Sequence, residues 1–555
     1  MITHVPILLL ITPLLAAIVV SIVNTLSKTK IVQKIITAIS LVLPFFYLSI
    51  IFQRISTESI SYNVGGWEKP FGITLVIDEL SFILLLISSI LVFVTFIYSL
   101  QNIKQDTGKF YFFFLLLTTA LNGIFLSGDL FNIYIFFDLT IISSFILITF
   151  GDKKYALKGS IKYLILGTLA SLFLLLGIGF VYAETGVLNL EYLQHRISLI
   201  DVQTQIVIFV FFLAAVGIKA AIIPFHTWLV DAHSTAPIPI SALLSGIIVK
   251  SGVYVFIRIS SFQFSLPGMN EVIIMLGAIT AVGGVIGALM QWDIKRITAN
   301  HTISQIGFII VGIGTGSTIG FAGGIYHIVN HAFFKALLFL CAGALIYKTG
   351  SKDIREYQIG WTMPITFIVY VIGILSISGI TPFNGSVSKK LIETAIHSYP
   401  GISIMLLFAS VGTVASFSKI LYYAFFKHPR HKTNGNDGKK VPFSMLVSMI
   451  FLAVFCLALG IIPQVWLDGF ILPASYLLGG VDLIQQVSFI EPLSILKEWI
   501  IVGGGLVLLF LIMRFSTRVD SLRTKISKIP VNQSILFMII TLILISIIFD
   551  SLKYI

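Results

Sequence analysis

The chain has 555 residues, of which 57% are hydrophobic and 11% are charged, and its formal net charge is +12. A soluble protein of this length carries about 25% charged residues, and the deficit extends along the whole chain, which excludes a soluble domain on a single membrane tether. The apolar runs approach 20 residues, the length that a helix needs to cross a hydrocarbon core of about 30 Å. Barrel strands would be about 10 residues long with strict alternation. The sequence therefore predicts an all-α polytopic membrane protein.

The cysteines and the basic charge exclude further classes. Cys341 and Cys456 both lie inside apolar runs, so neither a disulfide framework nor a thiolate metal cluster is expected. The positive charge falls in short loops rather than in a basic soluble module, which argues against nucleic acid as a partner. The first apolar run lacks a positive n-region and an A-x-A-like cleavage site, so we expect it to remain as the first span.

Apolar runs of suitable length predict about 14–16 transmembrane helices. In chain order they lie near 5–26, 31–53, 77–100, 110–127, 129–150, 159–183, 203–223, 237–257, 270–290, 300–314, 319–347, 361–381, 400–426, 443–463, 498–513 and 531–549. The polar segment 428–440 is predicted to be a flexible linker, and 464–497 a long outside connection.

The distribution of lysine and arginine predicts how these helices are oriented. If the N-terminus is outside, the inside loops hold about three times as many Lys and Arg residues as the outside loops, which is the positive-inside pattern. We therefore predict a multi-pass protein of the cell membrane with its N-terminus outside.

Two similar segments predict broken helices and an internal repeat. GIKAAIIPFHTWLVDAH at 217–233 and SISGITPFNGSVSKKLI at 376–392 both place Pro-Phe after an apolar half-helix. Pro224 and Pro382 should therefore break the seventh and twelfth spans. Because these spans are five apart, they have opposite orientations, which is typical of inverted repeats with ion sites near the midplane.

The repeat divides the chain into four predicted parts. They are N-terminal helices 1–3 (1–108), a first five-helix repeat (109–268), a second, inverted five-helix repeat (269–427) and a C-terminal linker with additional helices (428–555).

Six lysines lie within the apolar runs, where each costs about 2.5–3.5 kcal/mol at a helix centre. Lys219, Lys250 and Lys335 are near mid-span, and we predict that they carry protons, because burial disfavours the charged amine. Lys389 follows the second helix break and is predicted to belong to the same pathway. Lys162 and Lys419 lie closer to span ends, where a long side chain can equally extend to the interface.

One carboxylate and two histidines complete the predicted pathway. Asp138 is the one Asp or Glu deep inside an apolar run, and it is either a structural partner of a buried lysine or a gate that changes the lysine's affinity for its proton. His327 and His331 are spaced i and i+4 with Lys335 at i+8, hence on one helix face. Histidine titrates near neutral pH, which suits a proton relay.

Other polar residues allow two interpretations. His226 and His301 flank helix breaks and are additional candidates, whereas His233 is either a site residue or a solvated helix end. Four acidic residues at span ends are expected to be helix caps or interfacial charges. These four residues are Asp78, Glu79, Asp129 and Asp231.

Several segments resemble a known family. FNIYIFFD, GSIKYLILGTLAS, GIKAAIIPFHTWLVDAHSTAPIPISALLSGIIVKSGVY, KRITANHTISQIGF and NHAFFKALLFLCAGAL are similar to the antiporter-like subunits of respiratory complex I. They resemble still more closely the D subunit of Mrp-type Na+/H+ antiporters and its counterparts in membrane-bound hydrogenase-type complexes. The resemblance covers roughly residues 75–430.

The resemblance implies a fold of fourteen helices with two inverted five-helix repeats. It also implies that a carboxylate on the fifth helix, here Asp138 in place of the family's glutamate, pairs with Lys219, and that Lys250 continues the path. His327, His331 and Lys389 match the family's later positions. The tail after about residue 465 adds two spans beyond the common core.

The predicted function is proton translocation, with possible exchange for Na+, as a subunit of an Mrp-type antiporter or a redox-driven pump. The chain shows no nucleotide or flavin motif, so we expect no cofactor, no metal and no catalytic redox centre of its own. One alternative is a redox subunit binding quinone or haem, although His327 and His331 share one helix and cannot face each other across a haem. Another is a solute or ion symporter, which would need a polar pocket rather than a series of lysines.

Overall fold

The computed structural model describes residues 2–27, 29–55, 58–151, 155–357, 359–427, 440–476, 492–515 and 531–552. Among these residues, fourteen helices are long and apolar enough to cross a membrane. Two further apolar helices are shorter over their described residues, Pro364–Ser378 and Ile535–Ser551. The prediction of an all-α polytopic protein with about 14–16 spans is confirmed.

The N-terminal part contains three long helices and a small hairpin. The helices are α1 (Val5–Leu26), α2 (Lys30–Ile55) and α3 (Glu79–Asn102). Strands β1 (Ile60–Asn63) and β2 (Thr74–Ile77) pair antiparallel between α2 and α3. The sequence did not predict this hairpin, because four-residue strands are too short to show a reliable alternation of apolar and polar residues.

Seven helices follow in the region of the predicted first repeat. They are α4 (Thr107–Leu126), α5 (Leu130–Thr149), α6 (Ala156–Thr185), α7 (Leu190–Arg196), α8 (Val202–Ala220), α9 (Thr227–Thr235) and α10 (Ile238–Ser260). Helix α10 contains one π-helical turn, Leu244–Ile248.

The remaining helices extend from the predicted second repeat to the tail. They are α11 (Met269–Leu289), α12 (Ile294–Gly314), α13 (Thr318–Thr349), α14 (Pro364–Ser378), α15 (Asn384–Ala395), α16 (Pro400–Leu421), α17 (Phe443–Ile461), α18 (Pro492–Arg514) and α19 (Val531–Leu552). The connection predicted at 464–497 starts with helical turns, because Pro463–Trp466 and Leu472–Tyr476 are helical. Most of the predicted linker 428–440 lies outside the described residues.

Both predicted helix breaks are present, and their backbones are alike. Ala221, with φ +56°, follows the last residue of α8, and Gly379, with φ +79°, follows the last residue of α14. In both segments a proline follows three residues later, and the peptide bond before it is cis; these prolines are Pro224 and Pro382. We call residues 221–226 the first break and residues 379–383 the second break. The inverted-repeat relation between the two halves remains a prediction.

Aspartates begin several helices, as predicted for two of them. Asp78 accepts a hydrogen bond from the backbone N–H of Ser81 and caps α3, and Asp129 accepts from the first amides of α5. These carboxylates satisfy backbone donors that a helix start leaves unpaired. Glu79 occupies the first turn of α3.

The polar residues concentrate on the most deeply buried helices. The apolar central windows of α10, α12 and α13 are entirely buried inside the protein, whereas fewer than half of the residues in those of α1 and α2 are. Costly polar side chains are tolerated in a membrane protein where they face the bundle interior. The fold therefore places a polar interior along these three helices.

Candidate functional site

The structure brings the predicted lysines and histidines into the interior of the helix bundle. None of these side chains is more than 5% exposed, and Asp138 is half-buried. The buried set is Lys219, Lys250, His327, His331, Lys335 and Lys389. We refer to it below as the polar file.

Lys219 lies in the last turn of α8 and contacts α5. Its ammonium donates a hydrogen bond to the Thr140 hydroxyl and lies 4.7 Å from the centre of the Phe137 ring. Phe137 and Thr140 are three residues apart and share one face of α5, whereas Asp138 points elsewhere around the helix. Asp138 is near enough to attract Lys219 electrostatically. No Asp138–Lys219 ion pair forms within 4.0 Å among the described residues, so the predicted pair is open in this structure.

Lys250 is held by the widened turn of its own helix. Its ammonium donates to the backbone carbonyl of Ser245, which lies in the π-helical turn of α10. The Ser245 hydroxyl is 2.7 Å from the Thr302 hydroxyl on α12. The π turn therefore provides an acceptor for Lys250 and a link to the next helix of the file.

Lys335 connects α13 to α12. Its ammonium donates to the backbone carbonyl of Thr298 and lies 5.5 Å from the centre of the Phe339 ring. Like Lys219 and Lys250, it is held by a neutral oxygen.

The two predicted relay histidines lie one turn apart on α13. Their rings are 6.2 Å apart and nearly parallel. Nδ1 of His327 is 2.8 Å from the Ser388 hydroxyl, and Nε2 is 3.1 Å from Oε1 of Gln305. Neither ring nitrogen of His331 has a hydrogen-bond partner among the described residues. The predicted His327–His331–Lys335 face is therefore formed.

Lys389 closes the second break from the side of α15. Its ammonium donates to the carbonyls of Ile377 at 2.9 Å and Ser378 at 3.3 Å, at the end of α14. It lies 4.9 Å from the centre of the Phe308 ring. Gly379 has φ +79°, a conformation that favours glycine, and a Cβ there would also meet Cδ of Lys389 at 2.7 Å.

Lys162 and Asp231 form part of an ion cluster at one end of the bundle. The carboxylate of Asp231 lies 2.9 Å from the ammonium of Lys162 and 3.1 Å from the guanidinium of Arg296. Lys162 is therefore paired, and Asp231, which we expected to be a cap or interfacial charge, bridges α9 to both α6 and α12. The cluster joins the two predicted repeats.

Two additional histidines occupy different environments. His233 is fully buried and stacks on Phe339 at 4.8 Å, and neither of its ring nitrogens has a partner among the described residues. The interpretation of His233 as a solvated helix end is therefore wrong. The reason is that the ring packs on Phe339 of α13 in the protein interior. His226 is half-buried and immediately precedes α9.

His301 and Lys419 lie beside the file. His301 is fully buried and packs on Phe417 at 4.8 Å. Lys419 is also fully buried, and it donates to the carbonyls of Leu289 and Gln291 where α11 ends. A lysine at a helix C-terminus satisfies unpaired carbonyls. Lys419 therefore binds the end of a neighbouring helix, and its predicted place in the pathway or at the interface stays a prediction.

Arg258 was missed because it falls at the end of a span and resembles a loop charge. It pairs with Asp78 at 2.6 Å and lies 4.9 Å from the centre of the Tyr254 ring. Burial by itself raises the pKa of Asp78, but Arg258 and Ser81 outweigh it and hold that pKa below its ordinary value. Arg258 lies eight residues after Lys250 on the same helix, and this spacing could have indicated that it is not a loop charge.

The sequence also did not predict the uncharged hydrogen-bond acceptors that contact the polar file. Thr298, Thr302 and Gln305 recur at i, i+4 and i+7 on α12, which places them on one face. This stripe was a sequence signal for the side chains of Thr302 and Gln305, whereas Thr298 binds Lys335 through its backbone carbonyl. Thr140 carried no comparable pattern, since its partner lies 79 residues away.

The described residues include no group of three or more His, Cys, Asp or Glu side chains placed to hold a metal ion. The arrangement instead offers amines, imidazoles and hydroxyls on adjoining helices, and these groups can accept and donate protons. The fold and the file together define a polytopic membrane protein with a buried series of proton-exchanging groups.

Comparison with known proteins identifies the family. The model of the membrane region described as NADH:quinone oxidoreductase/Mrp antiporter matches residues 127–417. The D subunit of the Na+/H+ antiporter of Alkalihalophilus pseudofirmus is 34% identical over 406 residues, which are 71% of this chain and 82% of that protein. The N subunit of the NADH-quinone oxidoreductase of Desulforudis audaxviator is 30% identical over 486 residues, 84% of this chain and 97% of that protein. The chain belongs to this family of NADH:quinone oxidoreductase and Mrp antiporter membrane subunits.

Solved structures share the fold over nearly the whole chain. A chain of the membrane-bound sulfane sulfur reductase, an archaeal respiratory membrane complex, is similar with a TM-score of 0.79 and 25% identity. A chain of the Mrp complex from a Dietzia species is similar in fold with a TM-score of 0.77 and 22% identity. Each covers 90% of this chain and 99% of its own length.

Proposed function

We propose that this chain is a proton-translocating subunit of a multi-subunit membrane assembly. The observation that carries the proposal is that Lys219, Lys250, Lys335 and Lys389 are all buried and all bound to neutral oxygens. A carboxylate partner would hold the proton on a lysine, whereas a neutral acceptor leaves the buried charge expensive. Such an amine can give up its proton to the next group.

Repulsion between neighbouring groups gives the relay a physical basis. Lys250 and Lys335 lie close enough to repel each other when both are charged, and His331 feels both lysines. A proton that arrives at one group therefore favours departure of the proton from the next. The proposed order is Lys219, Lys250, the His327–His331–Lys335 face and Lys389.

The predicted topology assigns the two ends of the pathway to opposite sides of the membrane. With the N-terminus outside, the Lys162–Asp231–Arg296 cluster lies at the inner surface and the second break lies toward the outside. The similar breaks in the two halves support an inverted repeat with one half-channel on each side.

The relative named as part of a Na+/H+ antiporter supports exchange of protons for Na+. The relatives named as parts of respiratory complexes support a redox-driven pump as the alternative assembly.

The decisive experiment removes the central lysine. Lys250→Ala should reduce proton transport more than about tenfold, because the transfer step loses its proton carrier. Transport is measured as quenching of a pH-sensitive dye in vesicles that contain the complete assembly. Lys158→Ala, at an exposed position, is the matched control and should retain transport. Wild-type transport by Lys250→Ala would refute the proposal.

A further inference from the structure

The first helix of the C-terminal tail reaches the second break. Helix α18 packs along α16, and Glu498 lies in its second turn. Oε2 of Glu498 accepts a hydrogen bond from the backbone N–H of Thr381 at 2.9 Å, and Oε1 accepts from the Thr381 hydroxyl at 2.7 Å. The half-buried carboxylate therefore contacts the break by both of its oxygens.

The first break shows that the backbone N–H before the proline does not require a charged hydrogen-bond acceptor. When the Pro-Phe pairs are aligned, Ile223 corresponds to Thr381. The backbone N–H of Ile223 donates to the hydroxyl of Thr280 at 3.1 Å. A neutral hydroxyl therefore satisfies the equivalent amide, and a carboxylate in the membrane costs more than a hydroxyl. A hydroxyl would satisfy this amide equally well, so the charge of Glu498 is available for a second role besides this hydrogen bond.

Charged groups surround the second break on several elements. Lys389 holds the carbonyls of Ile377 and Ser378 just before the break, and Glu498 holds the residue before its proline. Glu393 lies one turn beyond Lys389 on α15 and forms a 2.6 Å ion pair with Lys497, the neighbour of Glu498. Lys389 therefore binds two carbonyls immediately before the second break, and Glu498 binds Thr381 within it.

We infer that Glu498 is the terminal proton carrier of the pathway, an inference that rests on the proposed function. The Lys389 ammonium loses a proton and becomes an amine, and the Glu498 carboxylate takes it up and becomes a carboxylic acid. Glu498 then releases the proton to water at the membrane surface and returns to the carboxylate. Lys389 is then reprotonated from the His327–His331–Lys335 face, so the net change is one proton moved from the file to water, with no other bond altered.

Glu498→Gln tests the inference because it removes the charge and keeps the shape. The glutamine carbonyl oxygen can accept from the Thr381 N–H, and its amide can donate to the Thr381 hydroxyl. We expect normal assembly and a loss of proton transport of about tenfold or more in vesicles with the complete complex. Glu271→Gln, an exposed carboxylate in the first turn of α11, is the matched control and should leave transport unchanged.

The possible results distinguish a Glu498 that carries protons from a Glu498 that only docks α18. Assembled Glu498→Gln with wild-type transport would show that Glu498 only docks α18 and would overturn the inference. If Glu498→Gln does not assemble, Glu498→Ala vesicles are tested with added formate. Recovery of transport with formate but not formamide supports a carboxylate carrier, and equal rates with both contradict it. Transport by Lys250→Ala would instead mean that the proposed function has failed.

Discussion

The two broken helices share a backbone motif but use their lysines differently. At the first break, Nε1 of Trp228 donates to the carbonyl of Ile218 at 2.6 Å, and Lys219 bonds a hydroxyl on another helix. At the second break, the Lys389 ammonium itself satisfies the last carbonyls of α14. An indole N–H only donates and does not ionise near neutral pH, whereas an ammonium can give up a proton. Lys389 therefore has a structural role in its helix end, and Lys219 has none.

Removal of the two lysines should therefore separate transport from stability. Lys219→Ala and Lys389→Ala should both lose proton transport more than about tenfold, because each lacks a carrier. Only Lys389→Ala leaves buried carbonyls unpaired, which costs about 1–3 kcal/mol. Vesicle transport and the thermal midpoint of the purified complex measure the two effects. Equal thermal midpoints for Lys219→Ala and Lys389→Ala would contradict a structural role that is specific to Lys389.

The open Asp138–Lys219 arrangement gives the second prediction. We propose that Asp138 attracts Lys219 away from Thr140 during transport, so Asp138→Asn should reduce transport severalfold to about tenfold, less than loss of the lysine itself. Membrane insertion should be unchanged, because Asp138 makes no ion pair within 4.0 Å in the described part of the chain. Asp138→Glu serves as the control, since it restores the longer acid of the family. Wild-type transport by Asp138→Asn would rule out a gate at this position.

The smallest expected effect concerns the helix end at the first break. Trp228→Phe keeps an aromatic ring against Tyr163 but removes the N–H that holds the Ile218 carbonyl. We expect a loss of stability of about 1–3 kcal/mol with transport largely retained. The thermal midpoint is compared with that of Trp361→Phe, where the ring is 63% exposed. An unchanged midpoint in Trp228→Phe would show that the carbonyl needs no donor.

The sequence predicted the helices and the buried lysines well, for physical reasons. Long apolar runs determine spans directly, and a charge inside such a run must face the protein interior. The two Pro-Phe segments marked both breaks, because proline cannot continue a helix. The lysines and histidines predicted to be buried in mid-span are buried in the structure, whereas the burial of Lys295 near the start of α12 was not predicted.

The acceptors of the lysines could not be predicted in the same way. Thr140 and the carbonyl of Ser245 are chosen by helix packing and by a π turn, and neither leaves a pattern in the sequence. The contact of Glu498 with Thr381 joins residues 117 positions apart. The partners of Asp231, Lys162 and Arg296, come from distant helices, so the sequence did not predict its ion pairs.

The position of Glu498 late in the chain has a consequence for biosynthesis. All residues of the polar file precede residue 390, whereas α18 begins at Pro492 and α19 follows it. Helix α19 packs against α8, with Phe549 5.6 Å from Phe209, so the tail contacts the helices of both breaks. Because a chain emerges from the ribosome N-terminus first, the file is complete before Glu498 is made. If Glu498 is the terminal carrier, we expect chains that end before α18 to release no protons.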